Sequence, residues 1–155
     1  MEYDYDELWY AYALEFNDKL ENANGGDWSK LDETEQEIAA LWKLVVDVYS
    51  GGFDEFFLNW GYNCYTYAMR GIKRISENNV TAEEVYELFE TTYTKVFARF
   101  EDDDSITSYA DIINHLTDED TEILERTFDE FDDGLGPVFC EAAYKYYCET
   151  LDKKP

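Results

Sequence analysis

Apolar residues recur every three or four positions along most of the chain, which is the spacing of one face of an α-helix. The first predicted helix runs from about Glu2 to Leu20, and the turn Asn24-Gly25-Gly26 ends it. A second helix begins near Asp32 or Thr34, because Thr34 and Glu37 have the spacing of a capping box. Two amphipathic helices therefore open the chain.

Glycines divide the next part of the chain into helices. Gly51-Gly52 ends the second helix, because glycine tolerates the left-handed backbone conformation that often follows a helix. Residues 53–59 form a short helical segment, Gly61 breaks it, and a further helix spans about residues 62–75. The spacing thus predicts a helical hairpin in the middle of the chain.

Two further helices are predicted between residues 80 and 116. Thr81 and Glu84 have the spacing of a capping box at the start of the first one, and its apolar positions continue to Phe100. A short helix follows near residues 108–116. The capping signal and the long apolar stripe make the first of these helices the better defined.

The end of the chain predicts two more helices. Thr117 caps one that runs to about Phe131 and has acidic residues in its first turn, where the helix dipole favours anions. After the turn Gly134-Leu135-Gly136-Pro137, Pro137 is well placed as the first residue of the last helix. That helix carries the apolar residues Phe139, Ala143, Tyr147 and Leu151.

These elements predict an all-α fold, a compact single-domain bundle of about six to eight helices. The length of 155 residues fits one domain spanning residues 1–155. Hydrophobic residues make up 45% and aromatic residues 18% of the chain, which is enough for a core and argues against disorder. Strand-like alternation is scarce.

The formal net charge of −25, from 37 acidic and 12 basic residues, changes this picture most. Such a body repels other polyanions, so direct binding to nucleic acid or to an anionic membrane is not expected, and a basic partner is. Residues 38–76 are nearly neutral, whereas the flanking segments hold almost all of the negative charge. The middle segment therefore fits a core hairpin, covered by two acidic segments.

Acidic residues stand three or four positions apart in several predicted helices, and each such pair costs a few tenths of a kcal/mol. Solubility of a small domain needs a net charge of only about 2 to 8. We interpret the excess as an acidic face for a basic partner, with a merely acidic or halophilic surface as the alternative. Carboxylates on successive helical turns have a repeat similar to that of DNA phosphates.

The residues predicted to replace phosphates in contacts with Lys and Arg fall into three groups. They are Asp4, Asp6 and Glu7; Glu83, Glu84, Glu87 and Glu90; and Asp118, Glu119, Glu122, Asp129, Asp132 and Asp133.

The most distinctive stretch is Tyr49 to Gly61, which contains Gly51, Gly52, Phe53, Phe56, Phe57 and Asn59. It resembles the Gly-Gly-Phe-x-x-Phe-Phe-x-Asn motif of a bacterial family that includes the neisserial DNA-mimic protein. The resemblance implies an all-helical fold, dimerisation, no known catalysis, and occupation of the DNA-binding surface of a partner protein. From the residues alone, the motif is structural: the phenylalanines pack inward and Asn59 holds the next turn. A surface pocket lined by Phe53, Asn59 and Trp60 is the alternative.

Catalytic and metal-binding patterns are not found. His115 is the single histidine and has no partner for a metal site or a nucleophilic triad. The three cysteines, Cys64, Cys140 and Cys148, fit buried thiols in a reducing compartment. No enzyme activity, metal or cofactor is predicted, and a cytoplasmic location is expected because no targeting segment is visible.

Three functions stay open at this point. The first is a DNA mimic that inhibits a transcription factor, a nuclease or a defence complex. The second is an immunity protein that neutralises a basic toxin through aromatic anchors. The third is an enzyme or a small-ligand-binding protein with an aromatic pocket. The basic residues Arg70, Lys73 and Arg74 are expected to pair with acids of the chain itself.

Overall fold

The computed structural model describes residues 3–155, and every regular element in this range is helical. The six α-helices are α1 Tyr5–Asp18, α2 Glu33–Gly51, α3 Phe53–Ser76, α4 Val80–Thr92, α5 Asp118–Glu130 and α6 Gly136–Tyr144. Four π-helical turns extend them at Lys19–Ala23, Tyr93–Phe97, Phe131–Leu135 and Lys145–Thr150, and 3-10 turns lie at Trp28–Lys30, Ala98–Phe100 and Tyr109–His115. The predicted all-α bundle is confirmed. Within residues 3–155, no helix combines the length and the apolar character needed to cross a membrane.

Helices α2 and α3 form an antiparallel hairpin at the centre of the bundle. Helix α1 packs against α2 and α6, α4 packs against α3, and α5 packs against α4. The side chains that α2 turns inward include Ile38, Ala39, Leu41 and Val48, all with no exposed surface. The nearly neutral middle segment is therefore the core hairpin, as its charge predicted.

Two glycines with positive φ shape this hairpin. Gly52, at φ 108°, ends α2 and starts α3 directly, as predicted. Gly61, at φ 79° and ψ −165°, is not helical, so α3 consists of two helical parts that meet at a kink, and the predicted break at Gly61 is confirmed. A Cβ atom at Gly61 would stand 2.0 Å from the ring of Tyr109, so the kink also lets the segment Tyr109–His115 pack closely against α3.

The predicted capping box of α2 is wrong by two residues. Asp32 is the N-cap: its Oδ1 accepts from the Glu35 backbone N–H at 2.8 Å, and Glu35 Oε1 accepts from the Asp32 backbone N–H at 3.1 Å. Thr34 and Glu37 lie inside the helix. Both residue pairs have the required spacing, and the earlier one forms the box because Glu37 is drawn into the core.

The start of α4 also differs from the prediction, whereas that of α5 agrees with it. Asn79 Oδ1 caps α4 by accepting from the Ala82 backbone N–H at 2.9 Å, so Thr81 and Glu84 form no box. Thr117 caps α5 as predicted, and Asp120 completes that box.

The first and the last helical residues differ slightly from the prediction. The predicted first residue of the first helix, Glu2, lies outside the described residues, and α1 begins at Tyr5 with Asp4 as its N-cap. Helical structure ends at Thr150, so Leu151 is not part of the last apolar face and is 47% exposed. Phe139, Ala143 and Tyr147 are buried, as predicted.

Glu37 is the most deeply buried charged side chain, with 0% of its surface exposed. Its carboxylate accepts from Arg70 Nε at 2.7 Å, from Arg74 Nε at 3.0 Å and from the Tyr147 hydroxyl at 2.9 Å. Burial and the negative charge of Glu37 raise the pKa of Tyr147 well above its ordinary value, so this phenol keeps its proton and donates. One carboxylate thus joins α2, α3 and the segment Lys145–Thr150.

The predicted pairing of the basic residues of α3 with acids of the chain is confirmed for Arg70 and Arg74, whereas Lys73 forms no ion pair among the described residues. Arg70 and Arg74 both bind Glu37, and Arg74 also pairs with Glu33 at 3.2 Å. Lys73 places its ammonium group 5.1 Å from the centre of the Tyr86 ring. These cations therefore hold the bundle together instead of forming a basic patch for a ligand.

Replacement of the buried carboxylate should be costly. We expect Glu37→Gln to lower the free energy of unfolding by about 2 to 4 kcal/mol, because two guanidinium groups and a phenol lose their charged acceptor. Urea unfolding followed by circular dichroism measures this. Glu33→Gln, at a position whose side chain is 70% exposed, is the matched control and should cost less than about 0.5 kcal/mol. Equal losses in the two variants would contradict the assigned role of Glu37.

Asp120 should make stability depend on pH. Hydrogen bonds from Arg99, at 3.1 and 2.5 Å, lower the pKa of this buried carboxyl to about 2. Because the folded pKa lies below the unfolded value, the contribution is complete above about pH 4 and is lost as the pH falls through 2. Because the Arg99 guanidinium is partly exposed and solvent screens the interaction, this contribution to the free energy of unfolding amounts to about 1 to 2 kcal/mol. The stability gap between wild type and Asp120→Asn should therefore narrow from pH 6 to pH 3, and the gap for Glu119→Gln should not.

Candidate partner-binding surface

The thirteen acids predicted to meet a partner lie on α1, α4, α5 and the turn after α5. Twelve of them are exposed, and Asp6 is half-buried. Two also have local roles: Asp4 Oδ1 accepts from the Glu7 backbone N–H at 3.2 Å, and Asp6 Oδ1 accepts from the Tyr49 hydroxyl at 3.1 Å. The prediction that these residues face solvent therefore fails only in part, and only for Asp6.

Helix α5 presents a row of carboxylates along its outer side. Asp118, Glu122, Glu125 and Asp129 occupy positions i, i+4, i+7 and i+11, while Leu124 and Thr127 face the core. The axial distance between successive carboxylates is about 5.5 Å, since each residue rises about 1.5 Å. Duplex DNA has one phosphate per about 3.4 Å along each strand, so the row has a charge repeat of the same order. Glu119 lies beside this row in the first turn.

Helices α4 and α5 face each other across a shallow groove of about 430 Å³. Glu84 and Glu87 line it from α4, and Glu130 lines it from α5. Two cations, Lys95 and Arg126, also line it. The structure thus brings two acids of the second predicted group across from Glu130 of α5, with two cations in the same groove.

The other two acids of α4 point elsewhere. Glu83 is exposed in the first turn of the helix. Glu90 lies toward α3: burial raises the pKa of Tyr65 and of Tyr86, and the charge of Glu90 raises both further. Neither Glu83 nor Glu90 lines the groove between α4 and α5.

Tyr49 connects the first predicted group with the end of the third. Its hydroxyl donates to Asp6, and its ring lies 5.3 Å from that of Phe131. Burial raises the pKa of Tyr49, and nearby Cys140, Asp6 and Asp132 raise it further. Tyr49 therefore joins Asp6 of α1 to Phe131 at the end of α5, the residue that precedes Asp132. Asp133 and Glu130 continue the surface on the two sides of Gly134.

We call the thirteen predicted acids together with Glu125 and Glu130 the acidic surface. The last two were not among the predicted site residues. The spacing of Glu125 from Asp118, Glu122 and Asp129 is a helical repeat that the sequence does contain. Nothing local marks Glu130, because its place opposite Glu84 and Glu87 depends on how α4 and α5 pack.

The acids of the acidic surface differ from other acids of the chain in their ion pairing. Among residues 3–155, none of the fifteen acids of this surface forms an ion pair. Eight of the twelve basic residues pair instead with other acids. Those acids are Glu21, Asp32, Glu33, Glu35, Glu37, Asp120, Glu141 and Asp152. The acidic surface thus carries its charge without ion pairs, and Lys95 and Arg126 lie beside it in the groove between α4 and α5.

The glycine- and phenylalanine-rich motif is part of the core. Phe53 and Phe56 have no exposed surface, and Phe57 is buried against the ring of Phe97. Asn59 Nδ2 and Trp60 Nε1 both donate to Asp47 Oδ2, at 3.4 and 2.8 Å. Because Phe53 is fully buried, it cannot line a surface pocket with Asn59 and Trp60, and the alternative reading of the motif is wrong.

The remaining candidates for catalysis or metal binding are the single histidine and the three cysteines. His115 is exposed at the end of the segment Tyr109–His115, with its ring 6.1 Å from that of Phe100. Cys64 and Cys140 are buried and Cys148 is half-buried. Burial raises the pKa of the Cys64 and Cys140 thiols, which lowers their reactivity. The described residues contain no group of three or more His, Cys, Asp or Glu side chains arranged to hold a metal ion.

Comparison with known families places this chain. A family model described as DMP19-like protein matches residues 29–151. The chain belongs to the DMP19-like family. The resemblance to the family of the neisserial DNA mimic, seen in the sequence, is thereby confirmed, and DMP19-like membership is consistent with DNA mimicry in general. Neither a curated protein nor a solved structure matches the chain. Helix α1, which carries Asp6 and Glu7, precedes the matched residues.

Mutual repulsion along α5 should be measurable. We expect Glu125→Lys to raise the free energy of unfolding by about 1 kcal/mol at low salt, because repulsions with Glu122 and Asp129 become attractions and no basic residue lies three or four positions away. About 0.5 M NaCl should remove most of the gain by screening. Urea unfolding at both salt concentrations tests this. A loss of stability, or a gain that salt does not change, would contradict the repulsion.

Proposed function

We propose that this protein is a DNA mimic, which binds the DNA-binding surface of a basic protein through the acidic surface and so inhibits it. The observation that carries the proposal is the separation of charge: within the described residues the acids of this surface form no ion pairs, while most cations pair with other acids. Membership of the DMP19-like family supports a partner that binds DNA.

The geometry supports the proposal in two ways. The carboxylate row of α5 offers charges at a repeat near that of a phosphate strand, to which Lys and Arg side chains can form charge-assisted hydrogen bonds. Glu84 and Glu87 of α4 line the same groove as Glu130 of α5. Tyr49, which binds Asp6 of α1, packs against Phe131 at the end of α5. A negative surface of this extent attracts a basic partner at long range, so association is fast and depends on salt.

Capture followed by competition tests the proposal. The immobilised protein should retain DNA-binding proteins from a host lysate at low salt, and duplex DNA should release them. The triple variant Glu122→Gln, Glu125→Gln and Asp129→Asn should lose at least about tenfold in affinity for the captured protein, because three phosphate-like contacts are removed. Binding that neither salt nor DNA weakens would contradict the proposal.

A matched control distinguishes the effect of the acidic surface on affinity from the effect of total net charge. The triple variant Glu15→Gln, Asp18→Asn and Glu149→Gln removes the same charge at exposed positions outside the acidic surface and should keep wild-type affinity. Equal losses in the two triple variants would mean that only total charge matters. Capture of a single toxin that DNA does not displace would favour the immunity function instead. Dimerisation and a cytoplasmic location stay predictions.

A further inference from the structure

An apolar groove lies beside the acids of α1. It runs between α1 and α2, has a volume of about 490 Å³, and is walled by Trp9, Tyr10, Trp42, Val46 and Tyr49. Asp6 and Glu7 stand at its rim. The groove is therefore a hydrophobic depression that opens directly next to one part of the acidic surface.

The side chains of the groove are arranged to make contact with another molecule. Tyr10 is 48% exposed, and its ring lies 5.6 Å from that of Trp42. The indole N–H groups of Trp9 and Trp42 are buried without a hydrogen-bond acceptor among the described residues. Burial of an unpaired donor costs free energy. Packing alone would favour aromatic side chains without a polar atom here.

Charge restricts what can occupy the groove. No basic side chain lines it, and Asp6 and Glu7 are the two charged residues among those that do. A second copy of the chain would bring its own acids against these, with a net charge of −25 on each copy. An uncharged apolar ligand would make no use of the acidic rim. The occupant that fits both features is an apolar side chain with basic neighbours.

We propose that the groove receives one apolar side chain that the basic partner presents between Lys or Arg residues, while Asp6 and Glu7 bind the flanking cations. The inference rests on the proposed function and adds to it a contact that salt does not screen. Buried anchors of this kind carry much of the energy of protein interfaces. Carboxylates alone attract any DNA-binding protein, and the groove selects those with an apolar side chain at the right place.

A pair of peptides tests the groove without knowledge of the natural partner. One nonapeptide has four arginines on each side of a central leucine, and the other has serine at the centre. At about 300 mM salt, where the charge contacts are weakened, the leucine peptide should bind the wild-type protein about tenfold more tightly, because it buries an apolar side chain. Equal affinities would overturn the inference.

Two variants locate the effect. Val46→Gln removes part of the apolar wall without a change of charge and should abolish the preference for leucine. Val80→Gln makes the same substitution at a residue of α4 that is 72% exposed, and it should keep the preference. A preference that survives in Val46→Gln would overturn the assignment to this groove.

The tryptophans give a second measurement that needs no substitution. In proton–nitrogen NMR spectra, the indole signals of Trp9 and Trp42 should shift on addition of the leucine peptide, while those of Trp28 and Trp60 serve as internal references. Unchanged Trp9 and Trp42 signals would overturn the inference. If both peptides bind equally and salt releases them, the groove inference fails and the acidic surface stands. If neither peptide binds at low salt, both proposals fail.

Discussion

The arrangement of the bundle depends on one buried carboxylate. Removal of Glu37 from water is unfavourable unless its oxygens are fully hydrogen-bonded, and the donors come from Arg70, Arg74 and Tyr147. These residues lie 33, 37 and 110 positions away in sequence, so the cost can be offset only when α2, α3 and the end of the chain meet in one register. Gly71 permits this approach, because a Cβ there would lie 2.8 Å from the Tyr147 hydroxyl and 2.9 Å from Leu41.

The same interaction has a consequence for the surface. Arg70 and Arg74 satisfy Glu37, Arg99 satisfies Asp120, and the buried Lys43 binds Glu21 while its ammonium group lies 3.5 Å from the centre of the Trp60 ring. The few cations of the chain thus stabilise the fold at its interior and at helix starts. The acids on the outer sides of α4 and α5 form no ion pairs with these cations, which explains how a stable body can carry a negative face.

The sequence predicted the features that depend on residues close together along the chain. Helix positions, the stops at Gly51-Gly52 and the Thr117 cap follow from local spacing, and the inward phenylalanines follow from helical periodicity. The predicted α2 cap was wrong because two acceptable capping pairs compete within six residues, and the burial of Glu37 decides between them. The exposure of twelve of the thirteen predicted surface acids follows in the same way from their charge. The contact between Asp6 and Tyr49, across 43 positions, could not be predicted, because it depends on packing.

The two walls of the apolar groove differ in their relation to the family. Trp42, Val46 and Tyr49 lie on α2, inside residues 29–151, whereas Trp9 and Tyr10 lie on α1, which precedes that range. The matched range thus holds the Glu37 network and the carboxylate row of α5, and α1 completes the groove. Trp9 also belongs to the core, whereas Tyr10 is 48% exposed. A substitution at Tyr10 would therefore change the wall of the groove without opening a cavity in the core.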